Sequence, residues 1–309
     1  MGRKNKKNKG ILVIVVLLII LVGICAGSFG YYELVFKDAR KKHNSIKGLD
    51  SYDKEVTEKE NEIKKIDEEI NKINSINLDT NKEAFFKEVK ALEDRIIAGN
   101  SNAKIAYLTF DDGPYYSTYK FLDVLDKYDV KATFFTTNIN GDNCYDNKSY
   151  NCHLLYQEYL KRGHTIANHT YTHAIFRGLY SSADTFMNAI VNQEEMIKDL
   201  TGGYVTKIAR FPGGSATAGG LKNTIVERLR ARGYGYVDWT AQDGDGGDLN
   251  STDEAWRNFT GSINQNIEVV LFHDYNRYTL SILPRAIEYL QDKGYILLPL
   301  FYESNMINK

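Results

Sequence analysis

Four short clusters in this chain bring together residue types that do chemistry. Asp111-Asp112-Gly113-Pro114 sets two carboxylates side by side. Adjacent carboxylates repel unless they share a cation or a proton, so the pair suggests a metal with one ligand and one base. The same four residues also make an ordinary turn. His169-Thr170-Tyr171-Thr172-His173 places two histidines four apart. Such a pair can converge on one metal, and a carboxylate would complete a three-ligand site open to water and substrate. With only 6 His in the chain, its coincidence with the aspartate pair carries weight. In Arg210-Phe211-Pro212-Gly213-Gly214 the guanidinium suits a carboxylate, and the glycines let backbone N–H groups face a substrate oxygen. Leu271-Phe272-His273-Asp274 ends an apolar run with a histidine, the side chain best matched to proton donation near neutral pH.

Elements that must position these clusters alternate from Lys104 onward. Strands are expected at Ile105 to Phe110, Ala132 to Thr137, Thr165 to Asn168, Lys207 to Arg210, Tyr234 to Trp239, Glu268 to Phe272 and Tyr295 to Leu298. Amphipathic helices are expected between them, near Tyr119 to Tyr128, Leu154 to Arg162, Ala183 to Leu200, Leu221 to Arg232, Ser251 to Asn264 and Leu280 to Lys293. This rhythm argues for an α/β class built of βα units around a parallel sheet, closed as a barrel. Barrels of that kind carry their chemistry at the C-terminal ends of the strands, where all four clusters fall.

The first hundred residues differ from the body. Between Lys9 and Glu33 no residue is charged, and those 23 residues would span about 35 Å as a helix, enough for a hydrocarbon core of about 30 Å. Arg3, Lys4, Lys6, Lys7 and Lys9 precede the segment and hold that flank in the cytoplasm, which sends the remainder of the chain outside. The competing expectation is a signal peptide cleaved after Ala26-Gly27-Ser28, giving a secreted protein. Residues 33–100 are rich in Lys, Glu, Asp and Asn; Val56, Ile63, Ile66, Ile70 and Ile73 draw an a/d seam of about two to three heptads. Phe85, Val89, Leu92 and Ile96 mark a second amphipathic helix. A helical stalk explains both, and a weak stalk-mediated dimer would follow from the seam; alternatively the second helix packs on the body. The chain thus divides into a basic tail and anchor (1–32), a helical spacer (33–100) and a catalytic domain (101–309). Cys144 and Cys152 flank a short segment expected outside the cell, which favours a disulfide there. The net charge of -1 gives no global attraction to nucleic acid.

Taken in order, the motifs resemble the polysaccharide deacetylases of the NodB-homology group, carbohydrate esterase family 4. The resemblance rests on Thr109-Phe110-Asp111-Asp112-Gly113, His169 to His173, Arg210 to Gly214, Asp238-Trp239 through Gly244-Asp245, and Leu271 to Asp274. It implies a distorted (β/α) barrel and a divalent metal, zinc first and cobalt, nickel or manganese as alternatives. Asp112, His169 and His173 would be the ligands, Asp111 the general base, His273 the general acid, Arg210 the residue orienting Asp111, and Asp245 the partner of His273. Asp238 competes with Asp245 for that last place. Gly213 would offer a backbone N–H to the oxyanion, and Leu271, Tyr171 and Trp239 would meet the substrate. Gly213 stands where many members carry Tyr. Gly246 stands where Trp is common, which leaves Trp239 to wall the sugar.

The implied reaction removes N-acetyl groups from a cell-wall glycan, with peptidoglycan N-acetylglucosamine as the leading substrate. Poly-N-acetylglucosamine, chitin oligomers or an O-acetylated glycan are the alternatives. A non-catalytic glycan-binding module that keeps the fold, or a structural stalk protein, would be different classes, separated by metal-dependent acetate release.

Overall fold

The computed structural model describes residues 50–78, 80–138, 152–302, 304 and 306–308, the side chains of 50–53, 152 and 153 excepted. The expected anchor and the Cys144 half of the expected disulfide lie outside these residues. Among the described residues no helix is long and apolar enough to cross a membrane.

Two helices lead the chain, α1 (Asp50–Asn74) and α2 (Lys82–Ile97). After them come β1 (Lys104–Asp111), α3 (Thr118–Lys127), β2 (Thr133–Thr136), α4 (Cys152–Lys161), β3 (Thr165–Asn168), α5 (Ala183–Thr201) and β4 (Ile208–Ala209). The remainder is α6 (Lys222–Ala231), β5 (Gly235–Tyr236), β6 (Ala241–Gln242), α7 (Thr252–Ser262), β7 (Ile267–His273), α8 (Arg277–Asp292) and β8 (Tyr295–Leu297). All strand pairs are parallel, in the order β5-β4-β3-β2-β1-β7-β6, with β8 beside the first half of β1. Among the described residues β5 and β6 are the ends of that order, and the sheet forms the half-barrel of a distorted (β/α) barrel. The two-residue strand β6 was not expected from sequence; so short a run carries no alternation to read.

Alternation along β1 decides what the strand buries. Ala106, Leu108 and Phe110 point to the surrounding helices and join Phe121, Phe134, Phe272 and Leu283 in one core. Ile105 and Tyr107 point inward and join Phe135, Ala167, Ile208, Val237 and Val269 in another. Asp111 continues the inward series at the strand's end, as a side-chain period of two requires.

Residues before 100 pack against this inner core. Phe85, Val89, Leu92 and Ile96 of α2 belong to the inner core, as does Ile73 of α1, with Ile66 packed against it. Glu93, which reads as a solvated charge in a polar helix, is fully buried and accepts the Tyr107 hydroxyl at 2.6 Å. Glu69 of α1 accepts from Arg95 at 2.9 Å and from Ser101 at 2.5 Å. The second helix therefore packs on the body, and part of the isoleucine seam is covered within the same chain. Leu92→Ala is expected to destabilise the body by about 2–5 kcal/mol, read as a lowered urea midpoint. A change below about 0.5 kcal/mol, the usual effect of a surface substitution, would mean α2 is a detachable stalk.

Candidate active site and metal centre

Register brings the four clusters to one end of the sheet. Asp111 and His273 are Cα partners at the ends of β1 and β7. Asn168 and Ala209 are partners on β3 and β4, so the next residues, His169 and Arg210, emerge side by side. The Arg210 N–H donates to the Asn168 carbonyl at 2.9 Å, which fixes that spacing.

Asp112, His169 and His173 each offer a ligand atom, and these atoms lie within 4.8 Å of one another. His173 Nε2 is 3.2 Å and His169 Nε2 is 3.5 Å from Asp112 Oδ1. Tetrahedral coordination at about 2.0–2.1 Å puts ligand atoms about 3.3 Å apart, so the set fits a small divalent cation. The tautomer agrees. His169 Nδ1 lies 2.9 Å from the Arg210 carbonyl, to which it must donate, leaving the Nε2 lone pair turned toward Asp112. Burial pushes His169 down to about 4, so its ring is neutral at physiological pH. Backbone strain marks the same residues: φ is +69° at Asp112, +66° at Thr170 and +44° at His173, values that non-glycine residues seldom adopt outside constrained sites.

Asp111 and Arg210 form a buried ion pair. Arg210 is fully buried and donates to Asp111 Oδ1 and Thr109 Oγ1, both at 2.8 Å, and to the carbonyls of Val237 at 3.2 Å and Asp238 at 2.9 Å. Its guanidinium lies 4.1 Å from the Phe135 ring centroid. The arginine thus holds Asp111 in one rotamer beside the metal set, with Asp111 Oδ2 3.5 Å from His169 Nε2.

His273 meets the third carboxylate. Its Nδ1 is 2.7 Å from Asp245 Oδ1, its backbone N–H donates to Asp245 Oδ2 at 2.6 Å, and its Nε2 faces Asp112 Oδ2 at 3.8 Å. Burial alone would lower this imidazole. The Asp245 hydrogen bond and charge outweigh it, with help from Asp111 and Asp112, and lift His273 to about 9. Asp238 does not compete: both of its carboxylate oxygens accept from Ser215, at 2.8 and 2.6 Å. A Cβ on Gly246 would come within 3.0 Å of His273 Cε1, so a side chain there would displace the ring.

The remaining expected residues fall around this centre in different ways. Gly213 is exposed at φ +73°, and its ideal Cβ would lie 3.2 Å from Ile175 Cδ1, so Ile175 fills the space a larger residue would take. Trp239 lies across Gly214, whose ideal Cβ would be 3.0 Å from its ring. Leu271 is buried two residues before His273. Tyr171 is half-buried and packs against the cluster holding Phe186 and Phe211, which gives it a structural task.

Several residues here escaped the sequence reading. Tyr275 packs its ring 5.3 Å from that of His273 and is 41% exposed, while Phe176, three residues after His173, is 99% exposed. Asp274 lies under the metal turn: it accepts Thr118 Oγ1 at 2.5 Å, and a Cβ on Gly113 would fall 2.7 Å from its Oδ2. Asp243 and Thr279 stand behind Asp245. Asp274 closes the Leu271 to Asp274 motif and was given no role of its own, Tyr275 follows it directly, and Thr279 gave no signal.

Comparison with known proteins agrees with this geometry. The polysaccharide deacetylase family model matches residues 98–237. A peptidoglycan-N-acetylglucosamine deacetylase of Bacillus cereus is 30% identical over 207 residues, covering 62% of this chain and 67% of that protein. The chitin deacetylase of Colletotrichum lindemuthianum is 30% identical over 195 residues, covering 61% and 74%. Among solved structures, the catalytic domain of peptidoglycan N-acetylglucosamine deacetylase from Eubacterium rectale superposes with a TM-score of 0.60 at 36% identity, covering 67% of this chain and 92% of that one. With its strand-end acids and histidines arranged as described, the chain belongs to the polysaccharide deacetylase family and is a hydrolase of N-acetyl amide bonds.

Proposed function

We propose that the chain removes N-acetyl groups from peptidoglycan N-acetylglucosamine, releasing acetate and leaving a free amine on the glycan. The observation that carries this reading is the pairing, at adjacent strand ends, of a carboxylate held by Arg210 with a histidine that Asp245 keeps protonated against the effect of its burial. Asp112, His169 and His173 would hold a divalent cation, zinc by preference. Bound there, it would supply a Lewis acid beside the acetyl carbonyl and acidify water. Asp111 takes the proton of the attacking water, oriented by Arg210. The Gly213 N–H faces the developing oxyanion. His273, its Nδ1 proton engaged by Asp245, delivers its Nε2 proton to the departing amine. Tyr116, Phe176 and Tyr275, exposed within a few residues of site side chains, give faces on which sugar rings stack.

The apolar segment Ile11 to Gly27, with five basic residues before it, supports a body tethered to the outer face of a cell membrane, within reach of the wall. Purified protein is expected to release acetate from peptidoglycan faster than from chitin oligomers, to lose that activity to a chelator and to regain it with zinc. In cells the activity should sediment with membranes. Activity confined to chitin oligomers would move the substrate, and no acetate with any divalent metal would leave a glycan-binding module.

A further inference from the structure

Behind the His273–Asp245 pair stands a third acid that the mechanism above does not use. Asp243 and Thr279 are fully buried, and Asp245 is 2% exposed. Thr279 lies in the first turn of α8, and its Oγ1 is 2.7 Å from Asp243 Oδ2 and 2.7 Å from Asp245 Oδ2. A hydroxyl has one proton and donates along only one of these contacts. The other would press two oxygens together with no proton between them, unless one carboxyl is itself protonated.

Asp245 is not the protonated one. Its two oxygens receive the Nδ1–H and the backbone N–H of His273, and two donors favour an ionised carboxylate. Asp243 accepts the Asp245 N–H on Oδ1, at 3.1 Å, and meets the Thr279 hydroxyl on Oδ2, while Asn258 donates to its backbone carbonyl. We propose that Asp243 is a positioning residue held as a neutral carboxylic acid. Its O–H is donated to Thr279, so that the threonine hydroxyl donates to Asp245 and fixes that carboxylate against His273. The proton on Asp243 removes a choice: with both acids ionised, the Thr279 hydroxyl would turn to either, and Asp245 would lose a donor half the time. Burial, then the charge of Asp245, raise Asp243 to about 8, in agreement. The groups facing it are Asp245 from its own loop, Thr279 from α8 and Asn258 from α7, with His273 of β7 reached through Asp245 and Tyr275 near enough to feel its charge.

This inference rests on His273 being the general acid. Asp243→Ala is expected to lower kcat about tenfold with KM unchanged, a part of the about 10²–10⁴-fold that a general acid contributes. Asp243→Asn, whose amide N–H can donate to Thr279 in place of the carboxyl O–H, is expected to restore kcat to within about threefold. Thr279→Val should match the alanine variant and Thr279→Ser should recover. The infrared difference spectrum between wild type and Asp243→Asn at neutral pH should contain the carbonyl band of a protonated carboxyl. An asparagine variant as slow as the alanine variant, or a difference spectrum without that band, overturns the proposal. Wild-type kcat in His273→Ala would instead remove the acid assignment while leaving the infrared result standing, so the two failures are told apart.

Discussion

Asp112→Ala is expected to abolish divalent-metal binding and acetate release together, whereas Asp111→Asn is expected to keep the metal and lose the activity. The two carboxylates are neighbours in sequence, yet their surroundings differ. His169 Nε2 stands 3.5 Å from an oxygen of each, so that histidine does not choose between them. His173 does, with Nε2 3.2 Å from Asp112 Oδ1, and Arg210 engages the other acid at 2.8 Å. A cation held by two imidazole nitrogens needs an anionic third ligand, and Asp112 is the carboxylate left for it. Losing Lewis-acid stabilisation of several kcal/mol corresponds to on the order of 10³-fold or more in kcat. Losing the base corresponds to about 10²–10⁴-fold. Alanine at φ +69° adds a backbone cost of about 1–2 kcal/mol, so Asp112→Gly, which carries no such cost, is the control for folding. Calorimetric titration of chelator-stripped protein with zinc, run beside acetate release, separates the variants. Asp111→Asn losing the metal as fully as Asp112→Ala would reverse the two roles.

Ligand chemistry made much of this centre legible before any coordinates. A metal needs lone pairs from a short list of residue types, and a parallel sheet delivers them only at strand ends, so His169, His173 and one of Asp111 and Asp112 were readable as a set, and motif resemblance chose Asp112. Arg210, His273 and Asp245 followed from motif resemblance, and hydrogen-bond geometry then decided between Asp245 and Asp238 in a way that spacing does not. Other features left little trace in sequence. Amphipathicity says that one face of α2 must be covered, but not that the inner core of the half-barrel covers it. Glu93 reads as solvent-facing because its neighbours are charged; only the approach of Tyr107 from β1 explains its burial. Thr279 looks like any threonine near a helix start until the chain folds it between two acids.

Arg210 concentrates the strongest coupling between stability and chemistry in the body. Arg210→Met keeps length and apolar contact with Phe135 but withdraws donors from Asp111, Thr109 and two backbone carbonyls at once. Removing one partner of a buried ion pair is expected to cost about 3–5 kcal/mol, because the other charge stays desolvated. Asp111 is only 3% exposed, so water cannot replace the guanidinium without opening the site. Where the variant folds, kcat should fall about 10²-fold or more, since the base loses the contact that orients it. Arg210→Lys separates charge from shape: an ammonium restores the cation but not the planar fork that reaches β1 and two carbonyls together. It is therefore expected to recover part of the stability and little of the rate. Urea unfolding alongside kcat measures both, and a lysine variant with wild-type kcat would show that charge alone, without the fork, positions Asp111.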